Sequence, residues 1–374
     1  MTNETATVDE LEGLRESVRG FLGRHSDSAA VRRLMETEDG FDESVWLELA
    51  NQLGMQGMVI PEPYGGAGFS TVEQGVGIEE MGRALFSSPY LSSSVAATNA
   101  ILHSGDESAK EDFLPALSSG ETRATLAVAE RTWKQGLEHP AAQAVAVGER
   151  WLITGLKSLV VDGSSSDVLI VTAATPNGTS MFTVDADGPG VERSALPVVD
   201  MTRRLSSVVL TAAPARMIGA EGNAGKVLDR AMNLTIAALA AEQVGAADGC
   251  LEMVVGYLKI REQFGRLLGS FQALKHRCAD LLVEIETARA LAQAALSAGA
   301  REDWGQLATL AALAKVRSWD VLAKASAENV QLHGGIGFTW AIDAHLYFKR
   351  AQGNQFLFGD PTTYRERAAA DIGL

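Results

Sequence analysis

Three short runs in the last third of the chain carry the residue types that chemistry requires. Arg261-Glu-Gln-Phe-Gly265 joins two long helical patterns, and Ser270-Phe-Gln272 opens the second, with Ser270 placed as its N-cap. A backbone turn at Gly265 beside a helix N-terminus suits a phosphate, because free N–H groups and the positive dipole end attract anions. Arg261 adds a permanently charged, planar donor fork. Further on, Gln331-Leu-His-Gly-Gly-Ile-Gly337 is a glycine-rich turn after a helix, where missing side chains let a ligand approach the backbone. Each run also has a plain structural reading, as a helix hairpin with a solvated arginine and as a C-cap with its loop. The third run, Arg350-Ala-Gln-Gly-Asn-Gln-Phe-Leu-Phe-Gly359, holds no carboxylate.

Other polar residues offer less. Asp360 can reach a ligand or cap a helix over Thr362–Ala370, and the cap is the simpler role. His333 and His345 read as packing or surface residues, since no partner spacing suggests a metal or a catalytic triad. Cys250 and Cys278 stand alone inside helical patterns, which argues for a reduced compartment with no disulfide framework and no metal site.

The elements that must position these runs fall into three zones of a 374-residue chain. Residues 1–122 read as a helical domain: Leu11, Leu14, Val18 and Leu22 recur at helical spacing, Trp46 to Leu53 is amphipathic, and Thr71 to Leu85 is a further helix. Residues 123–219 alternate short β-branched runs with turns (124–129, 144–147, 151–154, 168–172, 181–184 and 208–211), the pattern of a small antiparallel β-barrel-like domain. Residues 220–374 carry long Ala- and Leu-rich patterns over 224–262, 270–298 and 302–330, which pack best as a four-helix bundle. The fold class is therefore mainly α with a central β-domain.

Composition removes several function classes. Hydrophobic residues make up 46% and charged residues 21%, with 47 acidic against 32 basic residues and a net charge of -15. That balance argues against nucleic acid or an anionic membrane as partner. No apolar run approaches the roughly 20 residues of a membrane span. Met1 to Glu10 is polar and acidic, unlike a secretory leader, so the expected location is the cytoplasm.

Together the motifs resemble those of the flavin-dependent acyl-CoA dehydrogenases in type, order and spacing. Trp46-Leu-Glu-Leu-Ala-Asn-Gln-Leu-Gly54, Pro61-Glu-Pro-Tyr-Gly-Gly-Ala-Gly68 and Glu79-Glu-Met-Gly-Arg83 extend the resemblance over nearly the whole chain, as does the order of helices, β-domain and bundle. The resemblance implies FAD, an acyl-CoA substrate and electron-transfer flavoprotein as electron acceptor. In that family a glutamate takes the α-proton of an acyl-CoA while the β-hydride goes to flavin N5, giving a 2-enoyl-CoA. The glutamate occupies one of two places, and they fall here on Phe358 and on Thr235, 29 residues before Phe264. Neither side chain can serve as a base.

The positions around the flavin ring are depleted as well. The family's Thr-Glu-Pro run becomes Val128-Ala-Glu-Arg-Thr132, so that Ala129 replaces the threonine, and no Gly-Ser-Asp follows. Glu130 keeps the glutamate, with a structural hydrogen bond as its expected role. The family's Gly-x-Lys-x-Trp-Ile-Thr becomes Gly155-Leu-Lys-Ser-Leu-Val-Val161, with Leu159 and Val161 in place of the tryptophan and the threonine. Yet the residues that such enzymes offer to a neighbour's FAD are all present: Arg261, Gln263, Phe264, Phe271, Gln272, Gln331, Gly334 and Gly335.

This asymmetry implies a hetero-oligomer, α2β2, in which a homologous chain holds the ring and the base. Some actinobacterial members of the family are heterotetramers of that kind, acting on sterol side-chain CoA thioesters. Two alternatives stay open. One is a self-sufficient homotetramer with a displaced base, for which Glu242, two helical turns after Thr235, is the candidate against its simpler role in pairing helices. The other is a non-catalytic scaffold on the same fold. Small residues at Ala237–Ala241 suit a wide acyl pocket or tight helix packing equally.

Overall fold

The computed structural model describes residues 6–148, 150–371 and 373. The acidic N-terminal stretch is therefore followed from Ala6, and Met1–Thr5 lie outside the described residues. In chain order the helices and strands begin with α1 (Val8–His25), α2 (Ser28–Met35), α3 (Glu43–Leu53), α4 (Thr71–Arg83), a π-helix (Tyr90–Ala97), α5 (Thr98–Leu102) and α6 (Glu107–Ser119). There follow β1 (Ala124–Ala127), α7 (Trp133–Glu138), β2 (Gln143–Val147), β3 (Arg150–Val161), β4 (Val168–Thr175), β5 (Gly178–Asp185), β6 (Val191–Ala195) and β7 (Leu205–Ile218). The rest is α8 (Ala224–Ile260), β8 (Glu262–Gln263), β9 (Arg266–Leu267), α9 (Gln272–Ala300), α10 (Trp304–His333), a 3-10 turn (Gly334–Phe338), α11 (Ala344–Gln355) and α12 (Pro361–Asp371).

Contacts divide the described chain into two compact units, each discontinuous in sequence. One gathers residues 34–70 and 87–235, the other residues 6–33, 71–86 and 236–374. Helix α8 begins in the first and continues in the second.

In the first unit β1 to β7 form one sheet whose pairings return on themselves: β4 pairs β5, β5 pairs β7, β7 pairs β3, β3 pairs β2, and β2 meets β4 again at Gln143. Alternate inward residues, among them Ile153, Leu169, Val171, Phe182, Val208 and Leu210, fill its interior. The sheet is not wholly antiparallel as expected. β1 runs parallel to β4 over four residue pairs, because α7, β2 and β3 intervene before the chain returns. Around the sheet, Trp46 of α3 donates its indole N–H to the Gly120 carbonyl, and Arg204 gathers the carbonyls of Leu34, Met35, Thr37 and Met201.

The second unit is the helical bundle. α9 and α10 run side by side, α11 and α12 pack on α10, and α4 packs on α1 and α9. Glu79 and Glu80 of the Glu79-Glu-Met-Gly-Arg83 run are buried carboxylates that knit these helices: Arg15 donates to both, Arg19 to Glu80 and Arg289 to Glu79. Burial works against an ionised Glu80, but Arg19 and Arg15 hold its carboxyl below the usual range. Where α4 crosses α8 the backbones touch: a Cβ on Gly245 would lie 1.7 Å from the Glu79 carbonyl, and one on Gly82 1.9 Å from the Glu242 carbonyl. One turn before this crossing, Ala237, Ala238, Leu239, Ala240 and Ala241 are all buried. Cys250 is fully buried and burial pushes its thiol up, as suits a small core residue. Among the described residues no helix is long and apolar enough to cross a membrane.

Candidate functional site

At the end of α8 the chain turns in a two-residue hairpin. Glu262 pairs with Leu267 and Gln263 with Arg266, leaving Phe264 and Gly265 at the tip with φ of 55° and 74°. Positive φ at both positions makes this a type I′ turn, whose twist matches the flanking strands. Glycine adopts it freely; phenylalanine does so at a cost. Phe264 is nonetheless 88% exposed. Its ring meets Phe271 edge-on at 6.1 Å, and the Arg266 guanidinium lies 3.8 Å from the Phe271 centroid. Ser270 is not the cap of α9: its hydroxyl donates to the Leu267 carbonyl, and Phe271 stands at the N-cap without a side-chain bond. The 3-10 turn at Leu268–Ser270 draws the serine back toward the hairpin.

Helix α10 ends where Gly334 takes φ 68° and ψ -146°, and its N–H returns to the Gln331 carbonyl. A Cβ on Gly334 or Gly335 would meet nothing within 4 Å. His333 is a packing residue: Nδ1 contacts the Asn329 carbonyl at 2.8 Å and the ring stacks on Tyr257 at 4.4 Å. A small core of Val254, Leu258 and Leu332, with Leu268, Leu274 and Cys278 against it, ties the hairpin, the start of α9 and the end of α10 together. Arg261, Gln263, Phe264, Gln272, Gln331, Gly334 and Gly335 are thereby gathered, exposed, around half-buried Phe271 at one end of the bundle.

The two positions where the resemblance puts a base hold no carboxylate. Thr235 is fully buried and its hydroxyl donates back to the Ala231 carbonyl at 2.7 Å. Phe358 is 3% exposed with φ of 60°. Its segment is held at three carbonyls: the Tyr364 hydroxyl donates to Phe358, and the buried Lys315 ammonium to Leu357 and Asn354. Glu242 is committed elsewhere. Its Oε1 accepts from Arg350 Nη1 at 2.7 Å, with the two residues 6% and 2% exposed. Next to it Gln243 accepts from Ser318 of α10, so that two successive residues of α8 bind two different helices. Asp360 caps α12 by accepting from the Thr362 N–H.

In the first unit Ala129 and Val161 are both buried, and their carbonyls accept from the Ser158 N–H and the Thr125 hydroxyl. Leu159 has φ of 53° at an irregularity in the β3–β7 ladder. Glu130 does structural work: it accepts from Lys157 at 2.7 Å and from the Ala141 and Ala142 N–H groups. Burial pushes the Lys157 ammonium down, while the same bonds hold the Glu130 carboxyl below its usual range against its own burial. Where the resemblance asks for Gly-Ser-Asp, the chain forms α7, capped by Thr132. Helix α7 lies so close to the sheet that a Cβ on Gly136 would be 1.9 Å from the Val128 carbonyl.

Residues 8–121 match the family model described as acyl-CoA dehydrogenase, N-terminal domain, and residues 223–372 the one described as acyl-CoA dehydrogenase, C-terminal domain. The chain belongs to the acyl-CoA dehydrogenase family. It is 35% identical over 366 residues to acyl-CoA dehydrogenase IpdE2 of Mycolicibacterium smegmatis, covering 97% of this chain and 99% of the relative. Among solved structures, a variant of the Tcur3481-Tcur3483 steroid ACAD superposes with a TM-score of 0.87 at 32% identity, over 97% of this chain and 98% of that one. The ChsE4-ChsE5 complex from Mycobacterium tuberculosis gives 0.87 at 26% identity, over 99% and 98%.

Acyl-CoA dehydrogenases are FAD-dependent, and the two units of this chain differ in how they suit that group. Ala129 and Val161 have no side-chain donor and do not fit as supports for a flavin ring. The end of the bundle has open glycine backbone at Gly334 and Gly335 and an exposed Arg261, the chemistry that phosphates of a dinucleotide require.

Proposed function

We propose that this acyl-CoA dehydrogenase chain is the base-lacking subunit of a hetero-oligomer, most simply α2β2, that desaturates a steroid-derived acyl-CoA thioester between its α and β carbons. The observation that carries the reading is the contrast between the units. Both base positions and both ring hydroxyls are lost to Thr235, Phe358, Ala129 and Val161, whereas Arg261, Gln263, Phe264, Phe271, Gln272, Gln331, Gly334 and Gly335 remain together and exposed. On this reading those residues hold the adenosine and pyrophosphate of FAD whose ring is bound by a homologous subunit. Bound FAD supplies the hydride acceptor, and electron-transfer flavoprotein then takes the electrons. The steroid class is supported by the likeness to the steroid ACAD, and the paired assembly by the likeness to the ChsE4-ChsE5 complex. The ion pair with Arg350 counts against Glu242 as a displaced base in a homotetramer.

The test is to purify the chain alone and with a co-encoded homologue that carries the ring threonines and a helix glutamate. The chain alone should be colourless and inactive, and the pair yellow and active. One FAD per chain together with acyl-CoA oxidation by the isolated chain would defeat the proposal. Failure of every co-encoded homologue to restore turnover would favour a scaffold.

A further inference from the structure

The loop from Thr339 to Asp343 links the glycine turn to α11, and an arginine far away in sequence grips it. Arg32 of α2 donates from Nε and Nη2 to Asp343 Oδ1 at 2.8 and 2.6 Å, and from Nη1 to the Trp340 carbonyl. Its guanidinium also faces the Trp340 ring at 5.6 Å. Lys349 approaches the same ring at 4.8 Å, and His345 meets it edge-on at 4.5 Å. Asp343 occupies the N-cap of α11 yet makes no capping bond with its side chain, which is turned to Arg32. Inside the loop, Thr339 N–H bonds the Ile336 carbonyl and Ala341 N–H bonds the Thr339 hydroxyl. Burial, and then the nearby Lys349 and Arg32, push the His345 imidazole below its ordinary value.

The position of the glycine turn is thus set from both ends. On one side Gly334 is fastened to α10, and on the other the chain is fixed by a single guanidinium spanning a carbonyl and a carboxylate. A planar donor fork can do this where an ammonium cannot, because a lysine reaches only one of the two acceptors at good geometry.

We propose that Arg32 is a positioning residue for the dinucleotide-binding end of the bundle: by bridging the Trp340 carbonyl and the Asp343 carboxylate it fixes the backbone of the glycine turn that this chain offers to FAD. The assignment rests on the shared-FAD reading above. Arg32 itself touches no reacting group; it acts through Gly334 and Gly335.

The experiment has two arms, each with Arg32→Lys and Arg32→Ala. In the isolated full chain, hydrogen exchange at the Thr339 and Ala341 amides should accelerate about tenfold for Arg32→Lys and more for Arg32→Ala, the scale of one lost charge-assisted hydrogen bond. In the co-purified complex, the dissociation constant for added FAD should rise by roughly the same factor while KM for acyl-CoA stays within about twofold. Gly245→Ala, which strains a helix crossing, serves as control: it should lower thermal stability without weakening FAD binding. Unchanged exchange in Arg32→Ala would overturn the clamp. Faster exchange with unchanged FAD affinity, or a control that weakens FAD equally, would overturn the positioning role. Assembly and flavin loading of the unsubstituted pair test the shared-FAD reading separately, so failure there is distinguishable from failure of the Arg32 assignment.

Discussion

Replacing Glu242 by glutamine separates a structural carboxylate from a catalytic one. The substitution keeps an acceptor at the same place but removes the charge facing Arg350, which is 2% exposed and accepts no neutralisation from solvent. Breaking a buried pair by altering one partner costs about 3–5 kcal/mol. A cooperative chain of 374 residues unfolds with an entropy of about 0.8 kcal/mol per kelvin, so a loss of about 4 kcal/mol lowers Tm by about 5 °C. Differential scanning calorimetry of the proposed complex measures this, and the double variant Glu242→Gln with Arg350→Gln should recover part of the loss. Turnover corrected for folded protein should remain within a few-fold. A Tm within 1 °C of the unsubstituted complex, together with additive single and double variants, would refute the lock. Loss of turnover at unchanged Tm would restore Glu242 as the base.

Three further outcomes follow from the same geometry. Gly245→Ala brings a Cβ to within 1.7 Å of the Glu79 carbonyl, and the overpacking should cost about 1–3 kcal/mol in chemical denaturation. Lys315→Met leaves the buried carbonyls of Asn354 and Leu357 without their ammonium donor, and limited proteolysis near Phe358 should quicken by about tenfold or more. Glu80 has a folded pKa below its unfolded one, so its stabilisation is complete above an unfolded value near 4.5 and disappears as pH falls through the folded value. Arg19→Met weakens that hold and should shift the acid-unfolding midpoint, followed by circular dichroism, to higher pH.

Long periodic segments are legible in the sequence: α8, α9 and α10 lie within a few residues of their expected bounds because their apolar residues recur over many turns. Segments without a period are not. Tyr90–Ala97, with three serines in a row and no apolar period, receives no assignment of its own; it is a buried π-helix in which Ser92 bonds Asp162 and Ser93 accepts from the Ala124 N–H. Val191–Ala195 has only Val191 as a sizeable apolar residue to turn toward the core, too little for a period, yet it pairs along β7. The parallel pairing of β1 with β4 joins segments separated by two intervening strands, which local pattern does not encode. At the site, the hairpin and the glycine turn were visible as motifs. Their union depends on Leu258, Leu274 and Leu332 meeting in one small core, and the grip of Arg32 on the Trp340 loop joins residues 308 positions apart.

Gly335 sets a different kind of constraint from Gly82 and Gly245. The helix crossing excludes every side chain at those two positions, so natural selection there acts on folding and is felt by the chain alone. Gly335 has open space where a Cβ would stand and is not among the residues of positive φ, so alanine there should leave the chain's stability nearly unchanged. On the shared-FAD reading, any demand for glycine at 335 comes from the ligand that approaches its backbone. A saturation library scored once for abundance and once for flavin-loaded complex would separate the two: depletion at 82 and 245 in both screens, and depletion at 335 only in the second.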